Sequence, residues 1–293
     1  MNAPVLNKKL IILAVVVSAF LGGNAAFAKL IVKEIPPFSF VFLRFLLSLI
    51  ILFPIFLKTK TKLSKDLWKL ILLSMLSTAN IFLFALGVKF TTANIGQILY
   101  VSVPIVASVF AYFLLKERFS FKKIVGIIIG FTGAIIIVLI PLISTSQFKG
   151  LLLGNLLIAT GVISYALYTV LSKSFQKKYS PVEITFFFFL TTTIVSLVFS
   201  FSDFIYYPNW YINVSFSSIL AICYLAIFGT VLFYLLYQYI IKHSSPVTAS
   251  TSLYLQPFAT LMWAYLLLGE GLTPLFIVGG TLALLGTFLV TRS

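Results

Sequence analysis

Gln97, Tyr100, Pro104 and Ser108 fall at i, i+3, i+7 and i+11 of an otherwise apolar stretch, which places them on one face of a helix. Ser250, Tyr254 and Pro257 repeat the arrangement late in the chain, with Gln256 beside them. Amides and phenols donate and accept hydrogen bonds without carrying full charge, as a pocket for a neutral or zwitterionic metabolite requires. Each proline removes one N–H and frees a carbonyl four residues back, that of Tyr100 for Pro104 and of Leu253 for Pro257, which makes both prolines candidate hinges. Gly161, Tyr165, Tyr168 and Ser172 share a second face; Asn24, Asn80, Tyr234, Tyr237 and Gln238 add polar groups elsewhere. Taken singly, each of these is equally explained as glue between helices, worth about 1 kcal/mol per contact.

Three charged residues invite a role. Arg44 is the one charge well inside an apolar run, where a guanidinium could grip a carboxylate or phosphate, cap a carbonyl, or snorkel to an interface. Glu117 and Glu270 end two apolar runs and could serve as matched gates or as ordinary interfacial charges. Chemistry on a substrate has little to draw on. One His (His243), one Cys (Cys223) and no closely spaced pair of acids leave no metal site, dyad or cysteine nucleophile, so neither an enzyme nor a cofactor is expected. The acids Glu34, Asp66, Glu117, Glu183, Asp203 and Glu270 all lie at or near run ends, which favours facilitated diffusion or exchange over proton coupling.

The runs themselves fix the class. With 61% hydrophobic and 9% charged residues and a mean hydropathy of +1.13, the apolar surface exceeds what a soluble core could hide. Counting apolar runs of about 17–25 residues predicts an all-α integral membrane protein with ten spans, near 8–28, 37–57, 67–88, 93–114, 121–141, 150–172, 181–202, 217–241, 247–268 and 273–291. Runs of that length satisfy their backbone as helices, since barrel strands are half as long and alternate in polarity. The net charge of +15 comes from clusters between runs, so it points to orientation and to anionic lipid headgroups, not to nucleic acid. With a cytoplasmic N-terminus, sixteen of the 21 Lys and Arg lie in inside segments and four, Lys29, Lys33, Lys89 and Lys149, lie outside. Both termini are therefore expected in the cytoplasm, and the protein in the cytoplasmic (inner) membrane. Gly126 and Gly130, with Gly279 and Ala283, give small-residue faces for packing between spans 5 and 10 or in a homodimer; otherwise a monomer is expected.

Segment 28–48 aligns with 172–192 at an offset of 144, pairing Lys29 with Lys173, Pro37 with Pro181 and Phe45 with Phe189. Segment 104–126 aligns with 257–279 at an offset of 153, pairing Pro104 with Pro257, Glu117 with Glu270 and Gly126 with Gly279. Two halves, 1–141 and 142–293, would each hold five spans, and an odd number inserts the halves upside down relative to each other, a signature of alternating-access carriers. Lys8 and Lys9 before an apolar run, with Ala26-Phe27-Ala28 after it, imitate a secretory leader. Because span 1 has a partner in span 6, it is expected to stay as a helix.

"LGGNAAFAKLIVKEIPPFSFVFLRFLLS" resembles the opening of the drug/metabolite transporter superfamily, EamA type, through Gly23, Lys29, Pro37 and Arg44-Phe45; the family's Trp position holds Gly22 here. "TTANIGQILYVSVPIVASVFAYFLLKERFS" and "SSPVTASTSLYLQPFATLMWAYLLLGEGLT" are similar to its later blocks, with a central Pro and a terminal Leu-x-Glu. The resemblance implies ten helices in two inverted five-helix repeats around a cavity lined by helices 1, 3, 4, 6, 8 and 9. The expected function is secondary transport of a small polar or amphiphilic metabolite, such as an amino acid, with export one of the directions. A multidrug or cation exporter is the alternative; a channel, scaffold or embedded enzyme fits less of the pattern.

Overall fold

The computed structural model describes residues 24–59, 67–116, 120–143, 150–250, 253 and 256–291, and every regular element among them is helical. Seven helical stretches are long and apolar enough to cross a membrane: Pro37–Leu57, Leu67–Phe90, Ala93–Leu114, Phe121–Ile140, Leu152–Phe175, Pro181–Tyr206 and Phe216–His243. Pro274–Val290 is a shorter apolar helix. These take the places of spans 2 to 8 and 10. Span 9 is represented by Pro246–Ser250 and Gln256–Leu268, and span 1 by its last turns, Asn24–Ile31. Residues 8–23 of span 1 lie outside the described residues. Ala25, Ala26 and Ala28 are fully buried in that helix, so the small residues that imitate a cleavage site serve as a close-packing surface. The outer surface is apolar, with Phe121 79% and Ile205 75% exposed, as expected where lipid is the solvent.

Local sequence explains where the helices begin. Ser180 and Glu183 form a capping box, Ser180 N to Glu183 Oε2 at 2.7 Å and Glu183 N to Ser180 Oγ at 3.2 Å, ahead of Pro181 at the first helical position. Thr92 Oγ1 accepts from Ile95 N at 3.2 Å and so starts span 4. Span 4 is not merely kinked: it breaks at Val101 and Ser102, and a second helix, Val103–Leu115, restarts with Pro104 near its first turn. In span 9, Pro257 is the second residue of Gln256–Leu268. Span 8 carries a π-helical segment, Leu225–Leu232. Each interruption loosens the helix's own hydrogen bonding at membrane depth, which is tolerated only where protein or a cavity replaces the lost partners.

Packing runs largely between the two halves of the chain. Span 2 lies along span 7, where Phe45 meets Phe188 and Phe189 edge-on at 5.4 and 5.5 Å and Phe56 stacks on Phe186 at 3.7 Å. Span 3 lies along span 6. Spans 5 and 10 cross through glycine: a Cβ on Gly286 would sit 2.3 Å from Gly130 N, and one on Gly133 would sit 2.4 Å from Ala283 N. The small-residue faces of spans 5 and 10 are thus spent on each other.

Candidate functional site

A cavity inside the bundle is lined by Asn24, Arg44, Asn80, Gln97, Tyr100 and Gln256 together with Tyr165, Tyr234 and four apolar residues, Ile81, Phe84, Phe233 and Leu253. It therefore gathers six of the predicted site residues from both halves of the chain. The described side chains leave about 50 Å³ between them, room for a few water molecules.

One wall is built on the π-helical segment. Thr230 Oγ1 donates to Leu225 O, five residues back, at 2.8 Å. The widened turn leaves groups free for other helices: Arg44 Nε donates to Thr230 Oγ1 at 2.7 Å and Nη2 to Gly229 O at 3.0 Å. Ser48 Oγ donates to Arg44 O at 2.8 Å and to Ala226 O at 3.2 Å, which ties span 2 to the same turn. Asn24 Nδ2 approaches Gly229 O at 3.5 Å, and a Cβ on Gly229 would come within 2.0 Å of Asn24 Oδ1. Only glycine admits both Asn24 and Arg44 at this carbonyl. A charge near the bilayer centre costs about 3 kcal/mol or more, which these contacts offset in part.

Elsewhere in the lining Gln97 Nε2 donates to Gln256 Oε1 at 2.8 Å, joining spans 4 and 9, and Tyr100 OH donates to Asn80 Oδ1. Three buried atoms of this lining have no hydrogen-bond partner: Asn24 Oδ1, an acceptor, Gln256 Nε2, a donor, and the Tyr165 hydroxyl, which can be either. Buried polar atoms are nearly always satisfied, so these three mark where a polar guest or water is wanted.

Tyr168, Tyr237 and Gln238 do not line the cavity. Gln238 Nε2 donates to Tyr168 OH at 2.8 Å and its Oε1 accepts from Gln176 Nε2 at 2.6 Å, while Tyr237 OH lies 3.2 Å from Thr169 Oγ1 and 3.1 Å from Ser250 Oγ. Tyr165 stacks on Tyr237 at 5.6 Å and on Tyr168 at 6.1 Å, so this second layer supports the cavity wall from behind. Tyr254 and Glu117 lie outside the described residues. Gly229 and Thr230 are functional residues not expected from the spacing of polar residues; a Gly-Thr pair in the middle of an apolar run is the available signal.

The four described acids all cap helix starts. Glu270 accepts from Ala93 N at 2.8 Å and Asn94 N at 3.1 Å; Asp203 accepts from Ser39 N at 2.6 Å and Ser39 Oγ at 2.8 Å; Glu34 accepts from Ser215 N at 2.9 Å and Ser215 Oγ at 2.8 Å. Glu183 caps its own helix. A carboxylate at a helix N-terminus satisfies orphan N–H groups and opposes the helix dipole. Glu34, Asp203 and Glu270 each tie one half of the chain to a helix of the other. Glu270 also faces Lys29 and Lys33, but its direct partner is the helix and not a lysine. Burial raises the Glu270 pKa, against the opposing pull of the Ala93 and Asn94 N–H groups and then of Lys29 and Lys33. Glu34 is held below the usual carboxylate range, first by the Ser215 N–H and then by the Ser218 and Ser215 hydroxyls.

The lysines do the converse. Lys29 Nζ donates to Val88 O at 2.8 Å and Lys89 O at 3.0 Å, at the end of span 3. Lys173 Nζ donates to Ile241 O at 2.6 Å, Lys242 O at 3.2 Å and Ser244 O at 2.7 Å, at the end of span 8. A cation on the last carbonyls of a helix is the favourable end of the dipole.

The model of the EamA-like transporter family matches residues 8–139 and 152–292 of the chain. An uncharacterized transporter of Archaeoglobus fulgidus is 28% identical over 97% of this chain and 99% of its own. The uncharacterized transporter YetK of Bacillus subtilis is 31% identical over 76% of this chain and 69% of its own. A solved crystal structure shares the fold, with a TM-score of 0.67 at 16% identity over 97% of this chain and 96% of that one.

Proposed function

As the chain belongs to the EamA-like transporter family, we propose that this multi-pass membrane transporter carries a small polar metabolite, an amino acid or a related compound, across the cytoplasmic membrane by alternating access. The observation that carries the reading is the central cavity, polar and incompletely satisfied, placed where spans 4 and 8 are interrupted. Interrupted helices around a binding site within the membrane are the usual build of secondary transporters.

An inverted repeat of 1–141 and 142–293 is supported by contacts that exchange under the two offsets. Gly126 packs on Gly286 while Gly133 packs on Gly279, and adding 153 to 126 and 133 gives 279 and 286. Lys29 holds the end of span 3 as Lys173 holds the end of span 8. Phe45 and Phe189, equivalent at an offset of 144, touch each other, as residues beside a two-fold axis do. Pro104 and Pro257 then serve as equivalent hinges in halves of opposite orientation. In this reading the Glu270 end is outward-facing and shut in the described conformation, and Glu117 plays the corresponding part at the inner end.

Replacing Pro104 or Pro257 with Ala restores one N–H and allows a straighter helix. The two variants are expected to bias the carrier toward opposite facing states. With Cys223→Ala as background and single cysteines at Ser108 and Ser250, labelling by an impermeant maleimide from each side should change in opposite senses. Unchanged or identical labelling refutes the hinge mechanism. A reporter fused after Ser293 should read cytoplasm and one near Trp210 the exterior; an exterior Ser293 overturns the ten-span count and the inner, cytoplasmic placement of both termini.

A further inference from the structure

Arg44 lines the cavity and is 4% exposed, yet among the described residues no carboxylate stands beside it. Its two hydrogen bonds, to Thr230 Oγ1 and Gly229 O, go to neutral groups from Nε and Nη2, its guanidinium also lies 5.7 Å from the Phe45 ring, and Nη1 makes no hydrogen bond among the described residues. The sequence contains only six acids. Four of them are engaged at helix starts, and the other two, Asp66 and Glu117, lie outside the described residues. Among the described residues no acid is therefore left to neutralise Arg44 at cavity depth. The rest of the lining is amide, phenol and hydrocarbon, which solvates a cation poorly compared with water.

We propose that the substrate itself supplies the missing negative charge: the cavity takes small carboxylate-bearing molecules, as free anions or zwitterions, and Arg44 pairs with that carboxylate. The inference rests on reading the cavity as the transport site. Gln256 Nε2, buried and unpartnered, is a second donor for the same group, and Asn24 Oδ1 is an acceptor for an ammonium or hydroxyl on the same molecule. A planar guanidinium with free N–H groups matches a carboxylate better than any neutral isostere. The same unpaired charge repels an organic cation, so bare amines and quaternary ammonium compounds are rejected. That decides against the cation-exporter alternative on electrostatic grounds.

The test uses the purified full-length protein and the smallest probes of each charge: sodium acetate, acetamide and methylammonium chloride, with sodium chloride as the salt control. Acetate is expected to raise the melting temperature of the wild type saturably by several degrees, with no such rise in acetamide or methylammonium. Arg44→Lys should keep a smaller response and Arg44→Gln none. A flat wild-type acetate titration, an equal response in Arg44→Gln, or a saturable response to methylammonium overturns the proposal. If Arg44→Gln fails to fold, the wild-type comparison of acetate with methylammonium decides alone. Uptake in proteoliposomes separates this from the transport reading. Uptake of amines without an acetate response refutes the charge assignment and leaves a transporter, whereas an acetate response with no uptake of any carboxylate refutes transport and leaves the Arg44 site.

Discussion

Gly286→Leu is expected to abolish stable folding, or to lower the melting temperature in detergent by about 10 °C or more. The new Cβ would lie 2.3 Å from Gly130 N, 2.4 Å from Gly130 Cα and 2.5 Å from Gly126 O. All three neighbours are backbone, so no side-chain rotamer can yield and spans 5 and 10 must separate. Helices in lipid associate through such close packing, because hydrocarbon offers no hydrophobic drive between them. Gly280→Ala is the control: its nearest neighbour would be Ile98 Cγ1 at 3.4 Å, an ordinary contact, and its melting temperature should stay near wild type. If Gly286→Leu melts within about 2 °C of the wild type, which corresponds to under about 1 kcal/mol, the crossing of spans 5 and 10 is not as described.

Removing Glu34, Asp203 and Glu270 together is expected to unlatch the end of the molecule where spans 2, 4 and 8 begin. Each carboxylate cap contributes about 1 kcal/mol, so the triple Ala variant shifts the balance between shut and open by about 3 kcal/mol, a factor of about 100. A single cysteine at Gln97 in a Cys223→Ala background should then react with an impermeant maleimide from the Glu270 side far faster than in the parent. Each single variant should give an intermediate rate. Equal rates in parent and triple variant would mean that the caps only start their helices and do not hold the halves together. Glu183→Ala makes the comparison specific, since that carboxylate caps its own helix within one half and should leave the Gln97 rate unchanged.

Much of this architecture is legible in the residues because lipid restricts the choices. Spans 2 to 8 and 10 appear within a few residues of their expected limits, since a backbone in hydrocarbon must close its own hydrogen bonds and a run of about 20 apolar residues can do so only as a helix. The helix starts at Ser180, Thr92 and Ser215 are marked by hydroxyl residues whose local geometry needs no distant partner. The polar faces of spans 4 and 6 follow from periodicity alone, and Gln97, Tyr100 and Tyr165 are found on the cavity.

What periodicity could not supply is which of several polar faces meet. Tyr168 and Gln238 satisfy each other behind the wall, a pairing 70 residues apart in the chain that no local pattern encodes. The π turn around Gly229 and Thr230 arises because Arg44, Ser48 and Asn24 converge there from other helices and take the groups its widened ladder releases. Glu270 lies between two glycines with no cation near it in sequence, and only packing delivers Lys29, Lys33 and the start of span 4 to it. The amino-acid sequence by itself determined the helices, their ends and the membrane as solvent, because each depends on interactions within a few residues or with the lipid. The tertiary structure alone decided which acids became caps, which amides were left unpaired and why Arg44 meets no counter-charge among the described residues, because those outcomes depend on long-range contacts that form only when the two halves pack together.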